Sequence, residues 1–139
     1  MVKKKAKLIF KHNSFDIVEN GDYVLCAISG KEILLKDNKY QVMMEWEKLY
    51  MDTLVQKLNP SGDVLEIGFG LGYSATAIQR YNIKSHTIIE ADPEVLKRLR
   101  IWADEQKHPV NIIEGSWQKK LPKVTGLFDS FFLDDYPTV

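Results

Sequence analysis

The sequence predicts an α/β fold: an open parallel sheet with helices packed on it, preceded by a small N-terminal β meander. Three observations predict it. Short apolar runs alternate with helical periodicity from Gln41 onward. A glycine-rich turn joins one of those runs directly to a helix. Residues 1–40 instead carry closely spaced extended runs separated by turn pairs. The expected division is a β-rich segment over 1–40 and an α/β half-domain over 41–139.

In the first segment the extended runs are 8–10, 15–18, 23–28 and 32–35, with Asn20-Gly21 and Ser29-Gly30 as turn pairs. The chemistry of this meander is not legible; a cover for the site or for a sheet edge is the plain expectation. From Gln41, apolar positions Met43, Trp46, Tyr50, Leu54 and Leu58 recur three or four apart until Asn59-Pro60-Ser61-Gly62 stops the helix. The apolar run 63–67 leads into Gly68-Phe69-Gly70-Leu71-Gly72 and a second helix from Tyr73 to about Tyr81. The run 86–90 is the next strand. Asp92 then caps a helix with Pro93 at its first position and Val95, Leu96, Leu99 and Trp102 as its inner stripe. Residues 110–113 and 127–133 are the third and fourth strands. Such alternation predicts a parallel sheet with right-handed crossovers; in a doubly wound sheet of order 3-2-1-4 the fourth strand lies beside the first, with a crevice where the order reverses.

The 139 residues suffice for one compact body that buries about two thirds of its unfolded surface. Nineteen basic side chains balance nineteen acidic ones, so the clustered positive footprint of nucleic-acid binding is missing. Lys3-Lys4-Lys5 is the one basic block, expected as a solvated, frayed end. Cys26, the sole cysteine, lies in an apolar run and reads as a buried structural thiol in a reducing compartment, the cytoplasm by default. No apolar stretch approaches the roughly 18 residues of a membrane span, so no membrane partner is expected. His12, His86 and His108 have no ligand spacing, which predicts no metal.

A glycine turn between strand and helix lets a ligand approach the backbone closely. Here Tyr73 stands where the pyrophosphate-binding fingerprint needs its third glycine, which argues against a nicotinamide dinucleotide. The pattern is Glu66-x-Gly68-x-Gly70-x-Gly72, and an acid two residues before the first glycine suits a cationic ligand better than a phosphate. Glu90 ends the second strand about twenty residues past Gly70, the place of an acid that binds ribose hydroxyls.

These residues resemble the first motif of class I, Rossmann-like methyltransferases, whose acid and glycines line the methionine end of S-adenosylmethionine. The resemblance implies that Glu66, Gly68, Phe69, Gly70, Gly72, Glu90 and Ala91 bind that cofactor. It also implies Met43, Trp46 and Met51 from the first helix, and Gly115, Ser116 and Trp117 beside the adenine; for Trp117 core packing fits equally well.

Read together, Val42-Met43-Met44-Glu45-Trp46-Glu47, the glycine loop, Ile88-Ile89-Glu90, Gly115-Ser116-Trp117, and Phe128-Asp129 through Asp134-Asp135-Tyr136-Pro137 resemble guanidinoacetate N-methyltransferase. They are similar as well to the fungal-type protein arginine δ-N-methyltransferases. The resemblance implies N-methylation of a guanidino group, with Asp134 as proton acceptor, Glu47 as the carboxylate that fixes the fork, and Tyr136 shaping the substrate pocket. The chemistry suits the residues: a guanidinium is a poor nucleophile until carboxylates grip its planar fork, orient one nitrogen and accept its proton. Asp135 stands where guanidinoacetate methyltransferases have a hydroxyl residue, which leaves small-molecule and protein acceptors open.

Class I methyltransferases continue past the fourth strand, so the expectation is a core truncated there, a fragment of a longer protein. The apolar Phe131-Phe132-Leu133 would then offer an open edge to a second copy, as a homodimer. The alternative function is an incomplete cofactor-binding module that needs a partner or second copy.

Overall fold

The computed structural model describes residues 3–11, 14–19, 21–25, 32–36, 40–41 and 47–133. The chain divides into two compact units, Met1–Glu45 and Trp46–Val139.

In the first unit, β1 (Lys7–Lys11) pairs antiparallel with β2 (Ser14–Glu19), and β3 (Tyr23–Leu25), β4 (Glu32–Lys36) and β5 (Tyr40–Gln41) form a second antiparallel sheet in that order. The meander expectation holds with one strand more than the turn pairs indicated. Gln41 pairs with Leu35 instead of starting a helix, because a short return strand satisfies its backbone within the hairpin. The Lys3–Lys5 end is exposed but not frayed: Lys4 N–H donates to the Asp22 carboxylate at 2.9 Å, and Lys5 bridges Tyr23. On the surface of this unit, a 2.8 Å hydrogen bond from the Lys7 ammonium holds the Glu19 carboxyl below the usual carboxylate range. Cys26 and the Ser29-Gly30 turn lie outside the described residues.

The second unit is a parallel sheet flanked by helices. Along the chain come α1 (Glu47–Leu58), β6 (Gly62–Ile67), α2 (Tyr73–Gln79), β7 (Ile83–Glu90), α3 (Pro93–Asp104), β8 (Val110–Glu114), α4 (Trp117–Lys120), a short 3-10 turn (Leu121–Lys123) and β9 (Ser130–Leu133). The strands lie side by side as β8-β7-β6-β9, all parallel, so the order reverses between β6 and β9. That is the 3-2-1-4 order of a doubly wound sheet.

Register assigns the two faces. Val64 pairs with His86 and Glu66 with Ile88, so Val64, Glu66, His86 and Ile88 share the face that α2 and α3 cover. Leu65, Ile67 and Ile89 share the other face, packed by Ile113, Trp117, Leu121, Val124 and Phe128. α3 is held as its sequence indicates: Asp92 accepts from Glu94 N–H and Val95 N–H at 2.8 and 3.2 Å, and Val95, Leu96 and Leu99 are buried. Leu99 is fully buried, so Leu99→Ala is expected to lower unfolding free energy by about 2–5 kcal/mol in denaturant titration, through lost burial and a residual cavity.

Two predicted elements shift. The inner side of α1 is Met51 and Val55, one turn apart, and Tyr50 is 57% exposed; the stripe through Tyr50 was phased on Met43 and Trp46, which lie outside the described residues. β9 starts at Ser130 and not at Leu127, which is 93% exposed. Asp129 is drawn off the strand line by β6: its carboxylate accepts from Asp63 N–H, and its own N–H donates to the Asp63 carbonyl, both at 2.8 Å. Within β9 only alternate side chains are buried, Ser130 and Phe132, while Phe131 and Leu133 stand about half exposed on the opposite face. Among the described residues β9 pairs with β6 alone.

Candidate functional site

The carboxyl ends of β6, β7 and β8 lie level, with Ile67 beside Ile89 and Glu90 beside Glu114. From this edge leave the glycine loop, the Ala91-Asp92 turn and the Gly115-Ser116 turn. Open parallel sheets bind their ligands at such an edge, by the point where strand order reverses.

The loop is tied down at both ends. Gly68 N–H donates to the Ile89 carbonyl at 2.9 Å, and Gly72 N–H returns to the Phe69 carbonyl at 2.8 Å. Gly72 then starts α2 from a left-handed conformation, φ 79°, and a Cβ there would lie 2.7 Å from the Phe69 ring. Both the dihedral and the ring demand glycine. Gly72→Ala is therefore expected to cost about 1–3 kcal/mol in a thermal or denaturant melt and to weaken ligand binding at the loop; unchanged stability would mean that the ring yields freely.

Glu90 is the organising acid. Its Oε2 accepts from Phe69 N–H at 2.8 Å, and its Oε1 accepts from the N–H groups of Ala91 and Asp92, each at 2.8 Å. One carboxylate thus joins the tip of β7 to the glycine loop while staying only partly buried. Gly115 N–H donates to the Glu90 carbonyl, which brings the Gly115-Ser116 turn to the same edge.

Three of the expected site residues pack their side chains against the fold. Phe69 turns its side chain inward, 3% exposed, against Trp102 with ring centroids 5.2 Å apart, so only its backbone faces the loop. Trp117 opens α4 half-buried and packs on Leu65, Ile67 and Ile89, in keeping with its core-packing alternative. Met51 is buried in α1.

Glu66 also turns inward. Its side chain is fully buried, with Oε1 accepting from Ser74 Oγ and Oε2 lying 2.7 Å from His86 Nε2. Strand alternation is the physical cause. Glu66 shares the parity of Val64 on the helix-covered face, and the donors it meets there satisfy a carboxylate that would otherwise be costly to bury. The expectation that it greets a cationic ligand at the mouth meets a carboxylate already occupied inside.

Of the carboxylates expected to grip the acceptor, Glu47 is the first residue of α1 and half-buried. Leu133 pairs with Ile67, so β9 delivers the chain to the sheet edge one residue from Gly68. Asp134, Asp135 and Tyr136 lie outside the described residues, as do Met43 and Trp46. His86, Ser74 and Gln79 were not singled out from sequence. The available signal was parity: a histidine and a glutamate on one face of adjacent parallel strands, with a serine in the first turn of the helix above. No group of three or more His, Cys, Asp or Glu among the described residues is arranged to hold a metal, and no described helix is long and apolar enough to cross a membrane.

A parallel sheet that reverses order beside a glycine loop, with an acid at the tip of the neighbouring strand, is the core of a Rossmann-like fold. A protein described as an O-methyltransferase from Klebsiella pneumoniae superposes with a TM-score of 0.50 at 22% identity, covering 67% of this chain and 44% of that one. The chain belongs to the guanidinoacetate N-methyltransferase family, whose profile matches residues 28–139. Among curated relatives it is 42% identical over 114 residues to protein arginine N-methyltransferase 2 of Candida glabrata, covering 75% of this chain and 27% of that protein. It is 36% identical over 106 residues to the protein of the same name from Saccharomyces cerevisiae, covering 72% and 26%. The chain thus spans roughly a quarter of the length of these relatives.

Proposed function

We propose that this chain carries the S-adenosylmethionine-binding part of an enzyme that methylates a guanidino nitrogen, with an arginine side chain as the favoured acceptor. The observation that carries the cofactor reading is Glu90, whose carboxylate is held by three backbone N–H groups at the lip of the glycine loop. A carboxylate so fixed can accept from ribose hydroxyls, and the loop it borders departs from the pyrophosphate fingerprint at Tyr73. The arginine reading rests on family membership and on the names of the relatives.

When bound, S-adenosylmethionine supplies an electrophilic methyl group. Glu90 and the backbone of Gly68, Phe69, Gly70, Gly72 and Ala91 would hold it, with Gly115 and Ser116 bordering the base. Glu47 and Asp134 would grip the guanidinium, aim one nitrogen and remove its proton as the new bond forms, with Tyr136 shaping the pocket. The proton given up to the carboxylate offsets the positive charge brought by the methyl group, so the product is a methylguanidinium with the same single charge as the acceptor.

Calorimetry with S-adenosylmethionine and with NAD, followed by mass spectrometry after incubation with guanidinoacetate or an arginine peptide, tests this reading. Selective binding of the first and a product heavier by one methylene are expected; preference for NAD would sink it. A second reading is a module that binds the cofactor and completes its acceptor site with a partner or a second copy. The exposed apolar side chains of Leu127, Phe131 and Leu133 favour it, and binding without product would select it. The single cysteine and balanced charge support a cytoplasmic protein without nucleic-acid partners.

A further inference from the structure

Beneath the glycine loop runs a chain of buried hydrogen bonds that cofactor contact does not account for. His108 N–H donates to Gln79 Oε1 at 3.1 Å, Gln79 Nε2 lies 3.2 Å from His86 Nδ1, and His86 Nε2 lies 2.7 Å from Glu66 Oε2. The other oxygen of Glu66 takes Ser74 Oγ, in the first turn of α2. Glu66 and His86 are fully buried, and Ser74 and Gln79 nearly so.

The direction of this chain follows from its far end. A backbone N–H can only donate, so it assigns the Gln79 oxygen to His108 and turns the amide nitrogen, a donor only, toward His86. Nδ1 must then accept, and the ring hydrogen sits on Nε2, aimed at Glu66. The His86 ring also stands at 85° to the Trp102 ring, with centroids 6.1 Å apart, and Trp102 Nε1 donates to Thr76 Oγ1 on α2 at 3.0 Å.

We propose that His86 is a positioning residue for the cofactor loop: donating from Nε2, it holds the Glu66 carboxylate inside the fold with Oε1 on Ser74, and so fixes the start of α2 behind Gly72. This rests on the cofactor reading above for its consequence, but not for its geometry. Glu66 then serves the ligand through the loop it braces and not by touching the ligand's ammonium group. Without the Nε2 donor, half of a buried carboxylate loses its partner. The carboxylate must take up a proton or swing toward the mouth, and either change slackens its hold on Ser74.

Nitrogen NMR of the protein labelled at histidine reads the tautomer without any ligand; hydrogen on Nε2 of His86 is expected, and hydrogen on Nδ1 overturns the proposal. His86→Gln places an amide donor near the Nε2 position, whereas the amide of His86→Asn falls at the Nδ1 position and short of Glu66. His86→Gln should bind S-adenosylmethionine within about threefold of the parent and His86→Asn about tenfold more weakly. 5′-Methylthioadenosine, which lacks the amino-acid end, should lose affinity in parallel. Equal binding by His86→Asn, or a loss confined to S-adenosylmethionine, overturns the proposal. A parent protein that binds neither compound would refute the cofactor reading instead, and the tautomer would still report on the brace.

Discussion

Asp134→Asn is expected to lower turnover by roughly 10²–10⁴-fold while leaving S-adenosylmethionine affinity within about threefold. The amide keeps the shape of the carboxylate and one of its acceptor oxygens but cannot take a proton at neutral pH. A guanidinium holds its proton tightly, and methyl transfer requires that a nitrogen lone pair be released as the carbon–nitrogen bond forms. Asp134 follows Leu133, which pairs with Ile67 at the sheet edge where the glycine loop begins. Single-turnover mass spectrometry with saturating cofactor and acceptor measures the chemical step directly. A rate equal to that of the parent would remove Asp134 from the mechanism and shift the proton to Glu47 or Asp135.

Glu90→Ala should act in the opposite sense, weakening cofactor binding about a hundredfold while sparing the rate at saturation. The carboxylate accepts from Phe69, Ala91 and Asp92 N–H groups at 2.8 Å each, so its loss removes the tie between β7 and the glycine loop as well as the expected ribose contact. Hydrogen bonds to a charged group contribute about 1.5–3 kcal/mol apiece; because the freed N–H groups regain water at this partly open edge, a net loss of about 3 kcal/mol follows, close to two orders of magnitude in Kd. Calorimetry gives the affinity, and the rate at saturating cofactor separates binding from chemistry. Unchanged affinity with a reduced rate would place Glu90 in acceptor positioning.

The two substitutions test different parts of one arrangement. Glu90 belongs to the scaffold of the loop, whose hydrogen bonds are formed before any ligand arrives. Asp134 would act only as charge moves during transfer. A protein in which both substitutions reduced affinity and rate together would have a site built otherwise than proposed here.

Much of this arrangement was legible in local pattern. Asp92-Pro93 marked the start of α3 because a cap and a first-turn proline act over a few residues, and Asp92 does accept from Glu94 and Val95. The strand–glycine–helix succession located the loop, and alternation predicted that the strands run parallel, since parallel neighbours need crossovers. The 3-10 turn after α4, the late start of β9 and the phase of α1 were not legible, because long-range contacts decide them. Asp129 leaves the strand line only because Asp63, far away in sequence, receives and supplies its hydrogen bonds.

By itself, the sequence determined which residue types stand at the sheet's carboxyl edge: an acid before the glycines, a second acid ending β7, and glycines where the backbone must turn left-handed. Only the tertiary structure decided where each acid turns its side chain. Glu66 stands one residue before the end of β6 and points under α2 to meet Ser74 and His86, while Glu90 is the last residue of β7 and gathers backbone N–H groups. The direction of a strand side chain depends on register and on the layer covering that face, and a charged group settles where the donors are.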